Sequence, residues 1–143
     1  MDKDTLEKKI RSSIPLSQHM GFRVLALDKW SITVAGGAEE NLNLHQTAFA
    51  GSLYSICTLA AWGLTFSKLP ADCTLVMASA QIEYLRPVKG KIIATAKLAQ
   101  QQIDDLLSQL QQRGKAKLAL EVLVENPDQI AVKFMAHLHV KQQ

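Results

Sequence analysis

The sequence predicts a single α+β domain over residues 1–143, with one long buried helix lying against a long antiparallel sheet. Two observations carry this. No formal charge occurs between Glu40 and Lys68, and Ala48 to Phe66 is apolar enough on every side to form the centre of a core. From Thr74 onward, apolar residues recur at every second position over long stretches, the period of strands buried on one face. With 143 residues, 48% of them hydrophobic and 20% charged, the chain is of the size and composition of one ordinary globular domain.

In chain order, Asp4 to Ser13 reads as a short helix, with Asp4 as its cap and Pro15 as its stop. Phe22 to Leu27 and Trp30 to Ala35 read as two strands ended by Gly36-Gly37. Asn41 to Thr47 is a polar loop that feeds the charge-free helix, and Pro70 closes that helix's exit. The next strand presents Val76, Ala78, Ala80, Ile82 and Tyr84 on one face, the small alanines leaving room for the helix. Ala116, Leu118, Leu120, Val122 and Val124 repeat the alternation, as do Ile130, Val132, Phe134, Ala136, Leu138 and Val140. Lys117, Glu121, Glu125, Lys133, His137 and His139 take the opposite faces. Lys89-Gly90 and Asn126-Pro127-Asp128 supply turns. Between Gln100 and Arg113, Ile103, Leu106, Leu107 and Leu110 recur at helical spacing before Gly114, predicting an amphipathic helical insert at the periphery.

Composition excludes several functions. A net charge of +3, from 16 basic and 13 acidic residues, with no basic block beside aromatic residues, argues against nucleic-acid binding and suits a small anionic ligand. Cys57 and Cys73 form neither a disulfide framework nor a zinc motif, which fits a reducing cytoplasm. Met1 to Arg11 lacks the apolar segment of a signal peptide. The charge-free run approaches the ~20 residues of a membrane span, but its glycines and hydroxyls and the alternating strands elsewhere favour a core helix. His137 and His139 share a strand face without a third ligand, so no metal is expected.

The helix, two strands, loop, long buried helix and four strands follow the pattern of the hotdog fold. Asn43-Leu44-His45-Gln46-Thr47-Ala48-Phe49-Ala50-Gly51 resembles the loop-helix entry of hotdog thioesterases, and Tyr84-Leu85-Arg86-Pro87-Val88-Lys89-Gly90 resembles a strand end and turn found in many of them. Thr47 to Tyr54 is similar to the Thr-Ala-Phe-x-Gly-Ser-Leu-Tyr run of the thioesterase domain at the C-terminus of YiiD-type proteins. The resemblance, from about Leu16 to Val140, implies a hotdog domain, a homodimer or dimer of dimers, and an acyl-CoA or acyl-carrier-protein substrate. It implies no cofactor beyond the CoA carried by the substrate, and neither a nucleic-acid nor a membrane partner.

Thioester hydrolysis needs a polarised carbonyl and a positioned water. Backbone N–H groups at a helix N-terminus suit the first task, and Ala50 and Gly51 stand there, Gly51 without a Cβ to obstruct the acyl group. By the resemblance, the Ala50 amide is the oxyanion donor and Asn43 the ligand of water or carbonyl; an asparagine in such a loop also serves as a turn former. Gly51, Ser55, Thr58, Trp62 and Thr65 fall in one wedge of the helix roughly 80° wide, a hydroxyl-lined stripe suited to a ligand channel or to carbonyls one turn back. The sequence departs from related thioesterases at Thr58, where they carry an acid, at Phe49 for their loop histidine, and at Gln46 for their loop glycine. His45 is the remaining candidate base. Phe49, Ser55, Trp62, Tyr84, Arg86 and Lys89 complete the expected substrate contacts. The competing readings are a non-catalytic acyl-CoA-binding protein and, less well supported, a hotdog dehydratase.

Overall fold

The computed structural model describes residues 1–143. Helix α1, Lys3–Ser13, is capped by Asp2, whose carboxylate accepts the Thr5 N–H at 2.8 Å. That bond holds the Asp2 carboxyl below its usual range. Asp4 therefore lies inside the first turn, too late to be the cap that the sequence suggested. Pro15 does more than end α1: it occupies the first turn of a short helix α2, Pro15–His19, where its missing N–H is harmless.

Strands β1 (Arg23–Leu27) and β2 (Ser31–Gly36) form a hairpin, and a 3-10 turn, Glu39–Asn41, leads into the loop before α3 (Ala50–Phe66). Strands β3 (Cys73–Tyr84) and β4 (Ile92–Lys97), helix α4 (Gln100–Arg113), and strands β5 (Lys115–Glu125) and β6 (Ile130–Gln142) follow. The six strands form one sheet in the order β1-β2-β4-β5-β6-β3, antiparallel throughout. Its concave face wraps α3, which touches β2, β3, β4, β5 and β6. Ile56, Ala60, Ala61 and Leu64 of α3 are fully buried. Helix α1 covers the remaining side of α3: a Cβ on Gly63 would lie 3.3 Å from Ile10 and from Ile32, so glycine sets how closely the elements approach.

The inward face of β3 differs from strict alternation. A bulge at Ala78 shifts the register between Met77, opposite Leu138, and Ser79, opposite His137. One extra residue reverses which side chains point inward. Cys73, Leu75 and Met77 pack on the core before the bulge, and Ala80 and Ile82 after it. Val76, expected inside, is 58% exposed, and Ala78 is exposed as well.

Helix α4 has the predicted bounds and ends at Gly114, whose φ of +69° suits a residue without Cβ. It is not peripheral, however. Ile103, Leu106 and Leu110 belong to the main hydrophobic cluster, whereas Leu107 is 42% exposed. Strand β4 pairs with β5 only from Val122 to Val124, and α4 serves the rest of that edge. Gln109 accepts the Lys117 N–H at 3.1 Å and donates to the Lys117 carbonyl, and Gln102 donates to the Ala119 carbonyl. The glutamine bias of this segment thus supplies side-chain amides in place of a strand. Leu106→Ala should cost about 2–5 kcal/mol in a denaturant melt, and Leu107→Ala less than about 1 kcal/mol. Equal effects would show that α4 packs in another orientation.

Candidate functional site at the N-terminus of the central helix

The loop from Asn41 to Phe49 is built to present the first turn of α3. The Asn41 carbonyl accepts the Phe49 N–H at 2.7 Å, and the Val88 carbonyl accepts the Ala48 N–H at 2.8 Å. The turn after β3 is thereby tied to the loop before α3. Asn41 is buried and donates its amide N–H groups to the carbonyls of Met20 (2.9 Å) and Gly37 (2.7 Å). Its Oδ1 has no partner within the chain. In the sequence Asn41 is one more polar residue of the loop; that its side chain is buried is not visible from residue type alone.

Asn43 organises the loop from within. Its Oδ1 accepts the backbone N–H groups of His45 (2.8 Å) and Thr47 (3.2 Å), while its amide donates to the Thr47 hydroxyl and the Ala48 carbonyl. This is the turn-forming role that the residue type also allowed, and it commits both donors of the amide. Gln46 adopts φ +63°, the left-handed region, at the position where the resemblance implied a glycine. His45 is exposed and its ring makes no hydrogen bond within the chain.

At the helix terminus, Phe49 caps through backbone geometry alone, with no side-chain cap bond. The Leu53 N–H reaches the Phe49 carbonyl, which leaves the N–H groups of Ala50, Gly51 and Ser52 without partners in the fold. The space freed by the missing Cβ of Gly51 is taken by Phe49: a Cβ there would lie 2.5 Å from the ring's Cε2. The glycine accommodates the chain's own aromatic ring, itself 54% exposed. Tyr84, at the end of β3, donates its hydroxyl to the Ala50 carbonyl at 2.9 Å. Burial, then the neighbouring Cys57 and Tyr54, push the Tyr84 phenol up, so it remains a neutral donor. Leu44, Phe49, Tyr54, Tyr84 and Leu85 all keep large exposed apolar surface around this terminus.

The rest of the stripe divides. Ser55 is half-buried, one turn beyond Gly51, and makes no side-chain hydrogen bond within the chain. The Thr58 hydroxyl donates to the Tyr54 carbonyl at 2.9 Å, the turn-back bond, and keeps its acceptor capacity. Thr65 is fully buried and donates back to Ala61. Trp62 lies about 18 Å along the axis from Ala50, stacks on Phe66, and donates its indole N–H to the Leu75 carbonyl. The structure therefore gathers Asn43, His45, Phe49, Ala50, Gly51, Ser55 and Tyr84 at one end of α3 and leaves Trp62 at the other. Arg86 and Lys89 are exposed on the turn whose Val88 is tied to the loop. No carboxylate stands on α3, and Glu83 faces outward beside Lys133. Burial pushes the Cys57 thiol up to about 12, which removes it as a nucleophile. No cluster of metal-ligating side chains exists, and no helix is long and apolar enough to cross a membrane.

Fold and helix terminus together define the class: a hotdog-fold protein of the thioesterase type. Residues 3–141 match the family described as "Putative thioesterase (yiiD_Cterm)", and the chain belongs to that family. Among solved structures, it is similar to the "putative thioesterase from Shewanella oneidensis", with 33% identity and a TM-score of 0.87 over 99% of this chain and 97% of that one. A protein of unknown function from Chlorobaculum tepidum shows 25% identity and a TM-score of 0.91, covering 99% and 94%. A Pseudomonas aeruginosa protein shares the fold at 20% identity, with a TM-score of 0.89 over 100% and 97% of the two chains.

Two substitutions test the frame of the site. Left-handed backbone costs a side-chain-bearing residue about 1–2 kcal/mol, of which glycine returns about 0.5–1 kcal/mol as chain entropy. Gln46→Gly should therefore stabilise the protein by about 0.5–1 kcal/mol in urea. Asn41→Ala removes both side-chain bonds, although the Met20 carbonyl keeps the Gly37 N–H, and should destabilise by about 1–3 kcal/mol; a neutral result would show that water replaces the amide there.

Proposed function

We propose that the protein hydrolyses acyl thioesters carried by CoA or an acyl-carrier protein. The observation that supports this is the set of unpaired N–H groups at Ala50 and Gly51, ringed by exposed apolar side chains. The thioester carbonyl oxygen is received by these donors, where the helix dipole favours the charge that develops on it. Water adds to the carbonyl carbon, the C–S bond breaks, and the leaving sulfur takes up a proton, giving a carboxylic acid and a free thiol. The apolar rim of Phe49, Tyr54 and Tyr84 holds the acyl chain, and Ser55 and Thr58 line its path. Arg86 and Lys89 offer cations to the carrier's phosphates. Asn43 acts here as a positioning residue that fixes the loop, and the His45 imidazole is the candidate base that the loop carries.

The working unit is a homodimer or a dimer of dimers. Strand β1 is short, and the Glu7 carboxylate of α1 takes the Val24 N–H at 2.8 Å. Strand β3, by contrast, spans 12 residues with β6 as its only neighbour and Glu83 as its only charge. Long uncharged edges of this kind call for a partner strand. Light scattering at micromolar concentration should give two or four times 15.8 kDa; a monomer would remove this half of the reading.

A second reading, an acyl-CoA-binding protein without turnover, is favoured by the lack of a carboxylate on α3 and by the full engagement of the Asn43 amide. A chain-length panel of acyl-CoAs, assayed for free thiol, separates the two. The sharpest test is Ala50→Pro. Proline is well suited to the first position of a helix, and the extended ψ of 135° at Phe49 tolerates it. The change removes one N–H group and little else, so kcat should fall by roughly 10²–10³-fold with the melting temperature nearly unchanged. Unaltered turnover would exclude the Ala50 amide from the oxyanion site. Thr58→Asp, which returns the acid of related enzymes to this helix, should raise the rate at some cost in stability.

A further inference from the structure

The outer face of the sheet carries a second polar feature, remote from α3's N-terminus. Where β5, β6 and the start of β3 meet the end of α4, a groove of about 570 Å³ opens between Arg113, Lys115, Lys117 and Lys141. Lys115 and Lys141 are directly opposed across β5 and β6, and Lys117 is opposed by His139. Like charges facing each other in an antiparallel pair destabilise it. Nothing inside the chain offsets this pair, since the two ion pairs of the structure are Lys3–Asp4 and Arg23–Glu7. The carboxylate of Asp72, at the entrance to β3, is turned to the Gln142 side chain. No acidic side chain lines the groove. A repulsive arrangement held on paired strands and fenced by a helix terminus is explained by an anion that comes from outside.

We propose that this groove binds a small anion carrying two or more phosphates, separately from the thioester site. The four cations converge from two strands and one helix end, so a chain of linked phosphates meets several at once, whereas a single small anion satisfies one or two. Val76, exposed because of the bulge at Ala78, gives the floor an apolar spot beside the charges, and the neighbouring His139 ring gives it a flat face. That pairing suits a phosphorylated organic group better than a bare ion. The bulge therefore has a use: it turns Val76 out to the groove. Val76 and Tyr84 are eight residues apart on β3, about 26 Å by strand rise, and they face opposite sides of the sheet, so one occupant does not span both sites.

The test is thermal melting with ADP, tripolyphosphate or sulfate at matched ionic strength. ADP and tripolyphosphate should each raise the melting temperature saturably, by roughly 5–10 °C at about a hundred times the dissociation constant, and sulfate by much less. In the double variant Lys115→Gln/Lys141→Gln the unliganded protein should melt no lower than wild type, because a repulsion is gone, while the phosphate-induced rise falls by more than half. Lys117→Gln should weaken the rise in the same direction. Equal shifts with sulfate, or shifts that the variants leave intact, would overturn the proposal. So would a saturable shift with poly-glutamate larger than that with either phosphate, which would assign the groove to an acidic protein. Thiol release from acyl-CoA is measured on the same samples and should not change in the variants, which keeps this outcome independent of the thioesterase reading.

Discussion

Helix α3 has 17 residues and no charge, and it cannot face water along much of its length. Its amphipathic character is weak, so covering one stripe is not enough; the chain must surround it. The sheet supplies most of the cover by curving, and α1 supplies the rest through Leu6 and Ile10 against Gly63. Long strands follow from this requirement, since β3, β5 and β6 must reach along the whole helix. The 34 residues of the single hydrophobic cluster are the product of that enclosure.

Enclosure also decides where chemistry can occur. Along its sides α3 offers apolar surface, the unbonded Ser55 hydroxyl, and the Thr58 and Thr65 hydroxyls bonded back to their own helix. Its backbone donors become available at the N-terminus, and the fold commits several bonds to hold that terminus still. Asn41, Asn43 and the Val88 carbonyl fix the approach of the chain, and Tyr84 ties the first helical carbonyl to the end of β3. Unpaired amides held this way meet a ligand oxygen without first rearranging, the condition under which such donors are worth most.

The architecture was legible because it rests on periodicity. Alternation in β5 and β6 and the charge-free stretch survive in the structure nearly residue for residue. The failures occur where a local event overrides the period. A bulge at Ala78 misplaced Val76, since no residue type announces that a strand will admit an extra member. Leu106 and Leu110 read correctly as one face of a helix, but periodicity does not tell which surface that face meets. At the site, the motif pointed to a loop and helix terminus that the fold brings together, and Gln46 takes left-handed backbone where the resemblance implied a glycine. Roles were harder to read: Asn43 devotes its amide to the loop, Gly51 makes room for Phe49, and Asn41 gives no sign of its burial. Each depends on which neighbour a polar group finds in three dimensions.

The glutamines of α4 carry a kinetic consequence. The Lys117 amide is held by a side chain instead of by a neighbouring strand. Rotation of one glutamine frees it, with no need to pull paired strands apart or to open the core. Solvent hydrogen will therefore enter the sheet through this seam long before it reaches the amides between β5 and β6, leaving a soft stretch near the start of an otherwise slowly exchanging strand.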